Sequence, residues 1–292
     1  MKVLNFVRPE NGLTEDPVYY LNFEKYESIA RDCYFFMADF YGDLYSGNYN
    51  DKEKVVLTLE EPNFCVAGGM KETLHHHANV ILTLCPYMAE VYENRTFVFF
   101  PFSEDYIPPK VKKDIDISYF GSMPLGIPWS KYVTNVMSKY EYRYGYYNDG
   151  NVQGCSYLEK INLLARSKIA PVHSLCNPPA SQIAAFRAFP RMGKSPAFSH
   201  LESGLMPQIK SRTFEAAFAN CLILCQRDPW NVIEHFFTPD EDFLYFDDEA
   251  DLDKKVAHAL THYNEFEDMV SSAHKKAIEN YTTKHFVERH LL

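Results

Sequence analysis

A chain of 292 residues that is 46% hydrophobic, 15% aromatic and 23% charged is too long for one small core and too apolar for disorder, so two globular domains facing a cleft are expected. Its formal net charge of -10 excludes an extended basic face for nucleic acid. Met1 to Val7 turns polar too soon for a secretory signal and no run reaches the ~18 apolar residues of a membrane span, which makes a soluble, cytoplasmic protein the expectation.

In chain order, Val3-Leu-Asn-Phe-Val7 reads as a strand, Arg8 to Pro17 as a polar loop, and residues 20–38 as a helix. Lys54–Leu59, Ala78–Leu84 and Thr96–Phe100 are continuous apolar runs of the kind that parallel strands buried on both faces display. Pro101, then Pro108-Pro109 followed by Lys110, Lys112 and Lys113, interrupts this pattern with stiff charged chain, and the boundary of the first α/β domain is placed there, at residues 1–110.

A second α/β domain, 111–270, begins with the strand Ile115–Phe120 and continues with Gly121-Ser122, a helix over 128–139, the strand Tyr142–Gly145, a helix over 156–166 and the strand Lys168–Val172. Residues 177–206 form a loop too long for a plain connector, carrying Arg187, Arg191 and Lys194 against the single acid Glu202, and could close over phosphate or acceptor or be surface chain alone. The strands Cys221–Cys225 and Phe243–Phe246 and helices over 249–262 and 264–280 follow. The seven cysteines form an odd set without a Cys-x-x-Cys pair, which suits reduced thiols, and Cys221 and Cys225 read as strand packing.

Between the long loop and the strand at 221 stands Pro207-Gln-Ile-Lys-Ser-Arg-Thr-Phe-Glu-Ala-Ala. A Lys and an Arg at the start of a helix bring charged donors and free backbone N–H groups onto one anion, because the helix N-terminus carries partial positive charge. Lys210 and Arg212 are thus candidates for a phosphate, and Glu215, one turn further in, for hydrogen bonds to a sugar hydroxyl pair. The alternative is two solvated cations and a surface carboxylate. His173, at the end of the strand 168–172, lies where ligands of α/β folds gather and is a candidate base contact, with a structural role as the alternative.

Lys-x-Arg-x-Phe-Glu-Ala-Ala, a short apolar strand, and then Phe236-Phe-Thr-Pro-Asp-Glu-Asp-Phe-Leu-Tyr-Phe-Asp-Asp-Glu-Ala-Asp-Leu252 resemble the donor-binding half of GT-B glycosyltransferases, the group-1 type above all and exostosin-type enzymes more distantly. The resemblance is carried by residues 205–280, is fainter over 115–175 and is barely visible before that. It implies two Rossmann-like α/β domains facing a cleft and transfer of a monosaccharide from a nucleotide sugar, a UDP-sugar above all, to a carbohydrate acceptor. By position it assigns Lys210 and Arg212 to the donor diphosphate, Glu215 to the ribose, and Gly121 and Ser122 to the glycine-containing loop beside the donor. It also implies that a C-terminal helix, 271–292, crosses back to the first domain. Retaining members carry a second Glu eight positions before the helix Glu; here that position is Pro207, which points to inversion.

An inverting attack needs a base on the acceptor side, and the loops after first-domain strands supply Asp16, placed first because it precedes Pro17 at the approach to a helix, with Glu15 and Glu61 as alternates. Capping is the plainer role for Asp16. Asp114-Ile-Asp116 has the Asp-x-Asp form of a metal site but begins a strand after a Lys/Pro linker, and reads as a charge pair; His75-His-His77 point about 100° apart on a helix and cannot converge on one ion without partners from elsewhere. No metal and no cofactor beyond the nucleotide-sugar substrate is therefore expected. A non-catalytic nucleotide- or glycan-binding module is the rival, and a dinucleotide-dependent oxidoreductase is disfavoured because no Gly-x-Gly-x-x-Gly follows a strand.

Overall fold

A computed structural model describes residues 1–5, 21–38, 49, 51–59, 78–121, 128–145, 156–177 and 204–292. In the first half, β1 (Lys2–Asn5), β2 (Cys33–Ala38), β3 (Glu53–Thr58), β4 (Val80–Thr83) and β5 (Arg95–Phe97) lie side by side in chain order, every pair parallel. Helix α1 (Pro86–Val91) links the last two and starts on proline, whose missing N–H costs nothing in a first turn.

One expectation fails here. The helix read over 20–38 is instead a 3-10 turn (Phe23–Tyr26) followed by β2. Cys33-Tyr-Phe-Phe-Met-Ala sits between β1 and β3 with Cys33, Phe35, Phe36 and Met37 all buried. A six-residue apolar and aromatic run covered on both faces favours strand, and in so short a run periodicity does not separate it from a buried helix.

The second half forms another parallel sheet, ordered β12-β11-β8-β6-β7. Its strands are β6 (Ile115–Phe120), β7 (Tyr142–Gly145), β8 (Ser167–Val172), β11 (Leu222–Gln226) and β12 (Leu244–Phe246). Helix α2 (Pro128–Met137) returns the chain from β6 to β7, and α3 (Tyr157–Arg166) carries it back across β6 to β8. The order of travel therefore reverses at β6, and the carboxyl ends of β6 and β8 flank the crevice where α/β sheets bind ligands. A two-stranded antiparallel pair, β9 (Leu175–Cys176) with β10 (Met206–Pro207), leads into α4 (Ser211–Phe218). Helices α5 (Glu249–Thr261), α6 (Glu267–Asn280) and α7 (Thr283–His290) complete the chain.

The C-terminal segment is thus two helices rather than one run from 271. Thr282 breaks it: its side chain accepts from the His285 N–H as N-cap, its backbone bridges Phe102, and the Thr283 N–H donates to the Phe102 carbonyl at 2.9 Å. From there α7 lies on the first sheet's surroundings, with the Phe286 ring 5.4 Å from both Phe23 and Phe99 and the Leu291 carbonyl accepting from the Arg31 N–H at 2.7 Å. A continuous apolar core joins these residues to the α4 side of the second sheet, where Phe102 stacks on Phe218 at 4.5 Å and Phe214 packs near Phe99. The opposite face of that sheet is covered by α2 and α5 through Trp129, Val133, Leu252 and Val256.

Among the described residues no helix is long and apolar enough to cross a membrane. Phe286 is fully buried, against Phe23 and Phe99 of the first half. Phe286→Ala should lower the free energy of unfolding by about 3–5 kcal/mol, read as a drop in the urea midpoint.

Candidate functional site

The carboxyl end of β6 is Phe120-Gly121, and Gly121 has φ +145°, a conformation side-chain-bearing residues rarely adopt. A Cβ built there would lie 2.3 Å from Nη2 of Arg212 and 2.6 Å from its Cζ. The glycine thus leaves room for a guanidinium. Arg212 is the second residue of α4, and Lys210 is that helix's N-cap, whose side chain does not cap it. The first turn therefore presents its positive end beside two cationic side chains.

Tyr119 and His173 meet Arg212. Its Nη1 donates to the hydroxyl of Tyr119, and the guanidinium stands 4.8 Å over that ring. Tyr119 packs on Trp129 at 4.7 Å, and Trp129 lies 4.3 Å from the ring of His173. His173 follows β8 directly and is buried. Its Nδ1 accepts from the Leu175 N–H at 3.2 Å, which leaves the proton of the neutral ring on Nε2, 3.0 Å from Arg212 Nη1. Burial first, then the charges of Arg212 and Lys210, hold the imidazole pKa well below its ordinary value, so the ring is neutral at physiological pH. Two N–H donors consequently face one another, an arrangement that an anionic acceptor would relieve. Among the described residues, Trp129 Nε1, Ser174 Oγ and Thr213 Oγ1, all buried beside these residues, also have no hydrogen-bond partner.

Lys210 donates to Gln208 Oε1, and Gln208 Nε2 reaches the Leu59 carbonyl at the end of β3, 3.4 Å away. The Ile209 N–H donates to the Leu84 carbonyl beyond β4 at 2.9 Å. Segment 206–210 thus straps the α4 terminus to the strand ends of the first sheet.

Glu215 sits elsewhere from what a ribose contact would suggest. Its side chain is 2% exposed and its Oε2 lies 2.7 Å from Lys160 Nζ on α3, itself 8% exposed. Pro207 is buried in β10 opposite Leu175. Ser122, Glu15, Asp16 and Glu61 lie outside the described residues, as do Glu10, His75 to His77 and Arg187, Arg191 and Lys194.

Both carboxylates of the Asp-x-Asp sequence are held by cations: Asp114 by Arg166 through two bonds of 2.8 and 2.7 Å, Asp116 by Lys168 at 2.8 Å. The hydrogen bonds from Arg166 hold the Asp114 carboxyl below its ordinary value. Among the described residues no group of three or more His, Cys, Asp or Glu side chains is placed to hold a metal. Cys221 and Cys225 are buried thiols pushed up by desolvation, the former donating to the Leu164 carbonyl at 3.1 Å.

Reading the sequence brought Gly121, His173, Lys210 and Arg212 to one place but missed Tyr119, Trp129 and Lys160. Lys160 had a visible signal. It lies on the apolar face of α3, among the buried Tyr157, Ile161 and Leu164, where an unpaired lysine would be costly.

Gly121→Ala should push the Arg212 guanidinium off the strand end and strain the backbone by about 1–3 kcal/mol. Titration with pyrophosphate should show at least a roughly tenfold loss of affinity, while thermal melting reports the smaller loss of stability.

The family of glycosyl transferase-like proteins matches residues 110–291. No curated protein matches the chain in sequence. Among solved structures, S. aureus TarM bound to fondaparinux, alpha-GlcNAc-glycerol and UDP superposes at TM-score 0.54 and 12% identity, over 91% of this chain and 56% of that one. Anabaena HepE in complex with UDP-glucose superposes at 0.56 and 8% identity, covering 82% and 71%, and sucrose-phosphate synthase from Thermosynechococcus elongatus at 0.52 and 8%, covering 94% and 75%. This chain spans little more than half the length of TarM. At such identities the superpositions establish the fold, that of the GT-B glycosyltransferases with their Rossmann-like domains, and the match over 110–291 establishes that the chain belongs to the glycosyl transferase-like family.

Proposed function

We propose that the protein transfers a monosaccharide from a nucleotide sugar, a UDP-sugar, to a carbohydrate acceptor, with inversion and without a metal ion. The observation that carries this reading is the convergence of Arg212, the neutral His173 and the uncapped first turn of α4 at the reversal point of a parallel sheet. The ligands of two structural neighbours, UDP on TarM and UDP-glucose on HepE, support the choice of uridine.

In this reading the diphosphate lies across Gly121, within reach of Arg212, Lys210 and the Nε2 proton of His173. Transfer breaks the bond between the anomeric carbon and the diphosphate oxygen, and the electron pair leaves with the nucleoside diphosphate. Fixed cations, a helix N-terminus and a neutral imidazole N–H stabilise that developing charge without reorganising. They take the part a divalent ion would otherwise play. The acceptor hydroxyl attacks from the opposite side and gives its proton to a carboxylate of the first half, Asp16 in the first place and Glu15 or Glu61 otherwise. Inversion rests on Pro207, an apolar buried ring at the position where retaining relatives carry a carboxylate.

A ribose contact for Glu215 requires its carboxylate to leave Lys160 or to share it. Breaking such a buried pair costs about 3–5 kcal/mol, so the proposed grip on the donor rests on the diphosphate instead.

Arg212→Ala should weaken UDP binding by about 2 kcal/mol or more, roughly thirtyfold, because a charge-assisted contact is lost. Calorimetry with UDP and GDP measures it, and an unchanged dissociation constant for the tighter nucleotide removes Arg212 from the site.

For the chemistry, NMR of the first-formed product from an α-linked donor should show a β linkage in buffer containing EDTA. Asp16→Asn should cut turnover by ~10²-fold or more without altering nucleotide affinity. An α linkage contradicts inversion, turnover that needs added Mn²⁺ contradicts metal independence, and a fully active Asp16→Asn moves the base to Glu15 or Glu61. Tight UDP binding with no transfer to any acceptor favours the non-catalytic module.

A further inference from the structure

Lys160 is a charged residue in the interior of the second half, in a chain whose other described ion pairs each include a side chain at least about a quarter exposed. Its partner, Glu215, is the residue three positions after Arg212 on an eight-residue helix. Residues three apart share one flank of a helix, so a force on Glu215 acts on the turn that carries Arg212.

Other restraints also act on α4: its first turn is held by the Arg212 contacts with Tyr119 and Gly121 and by the strap of 206–210. Its carboxyl end is held by Lys113, which donates to the Ala219 carbonyl at 2.9 Å, and by His274 Nδ1, 3.0 Å from the Ala217 carbonyl. Its apolar face is held by Phe214, which meets Phe236, Phe237 and Tyr281 at 5.3–5.7 Å. Toward α3, the polar side just beyond the first turn is held by the Lys160 to Glu215 pair, and the Lys160 ammonium stands 5.2 Å over the Tyr157 ring. Without Lys160, the Glu215 carboxylate would be an uncompensated buried anion one turn from a site built for anions. It would oppose the ligand and pull the helix toward solvent.

We propose that Lys160 is a positioning residue of the donor site: through Glu215 it steadies the first turn of α4 and cancels the Glu215 charge one turn from the diphosphate. The proposal rests on the donor-site reading above. It assigns Glu215 to the interior pair and leaves the ribose to other contacts.

The test is calorimetry of the full chain with three probes, UDP, 2′-deoxy-UDP and inorganic pyrophosphate, at a temperature well below each variant's melting point. Lys160→Met should weaken UDP and pyrophosphate by the same factor, roughly tenfold or more, and the Lys160→Met/Glu215→Gln double variant should recover most of the loss. In an Arg212→Ala background Lys160→Met should have much less effect. A purely structural lysine would lower the melting temperature and leave both affinities in place, which overturns the proposal. Should Lys160→Met not fold, Glu215→Gln decides alone. A common factor for UDP and pyrophosphate, with the UDP to 2′-deoxy-UDP ratio kept, supports positioning. Loss confined to UDP, with collapse of that ratio, shows direct ribose contact and overturns it. If Arg212→Ala itself leaves UDP and pyrophosphate unaffected, the donor-site reading has failed, whatever Lys160 does.

Discussion

A guanidinium occupying the space that any side chain would need at Gly121 ties the first turn of α4 to the end of β6, and the arrangement of the site follows from that contact. Arg212 can lie there because residue 121 has no Cβ and because Tyr119, two positions earlier on the same strand, offers both a hydroxyl and a ring face. His173 then meets Arg212 from the end of the adjacent strand β8, already neutral because it is buried beside two cations. None of these groups makes an anion site singly. Together they leave several donors converging on one place, and a phosphate is the simplest acceptor for them.

The same helix carries the mechanical link between halves. Phe214 and Phe218 turn its apolar face to Phe99 and Phe102, while Gln208 and Ile209, just before it, bond to carbonyls at the ends of first-half strands. A change in the position of α4 is therefore felt at the ends of β3 and β4, and the reverse. Such an arrangement suits the proposed transfer, with its donor on one half and its acceptor and base on the other. The fold alone would not say so, since Rossmann-like pairs serve many chemistries; the groups at the strand ends make the difference.

In the second sheet Ile115–Phe120 and Tyr142–Gly145 occur where the sequence places them, and the strand at 222–226 was legible as a short apolar run bounded by turn residues. Cys33–Ala38 was not, because six apolar residues covered on both faces carry no period that separates strand from helix. Within the site, Arg212 and Lys210 could be read from their position before an Ala-rich helix, and Gly121 and His173 from the ends of strands. Trp129 and Tyr119 could not, since their part depends on ring contacts between separate elements. Glu215 shows the limit most clearly: position on the helix suggested a ligand contact, whereas the partner that takes its charge stands on α3, 55 positions earlier in the chain, and only packing of the two helices brings it near.

The most direct measurement of the central claim is a crystal structure of the protein with UDP. Diphosphate oxygens should lie about 3 Å from the Arg212 guanidinium, the His173 Nε2 and first-turn amides of α4, above Gly121. A nucleotide bound at other strand ends, with Arg212 still lying on Tyr119 and no phosphate oxygen near it, would contradict the account.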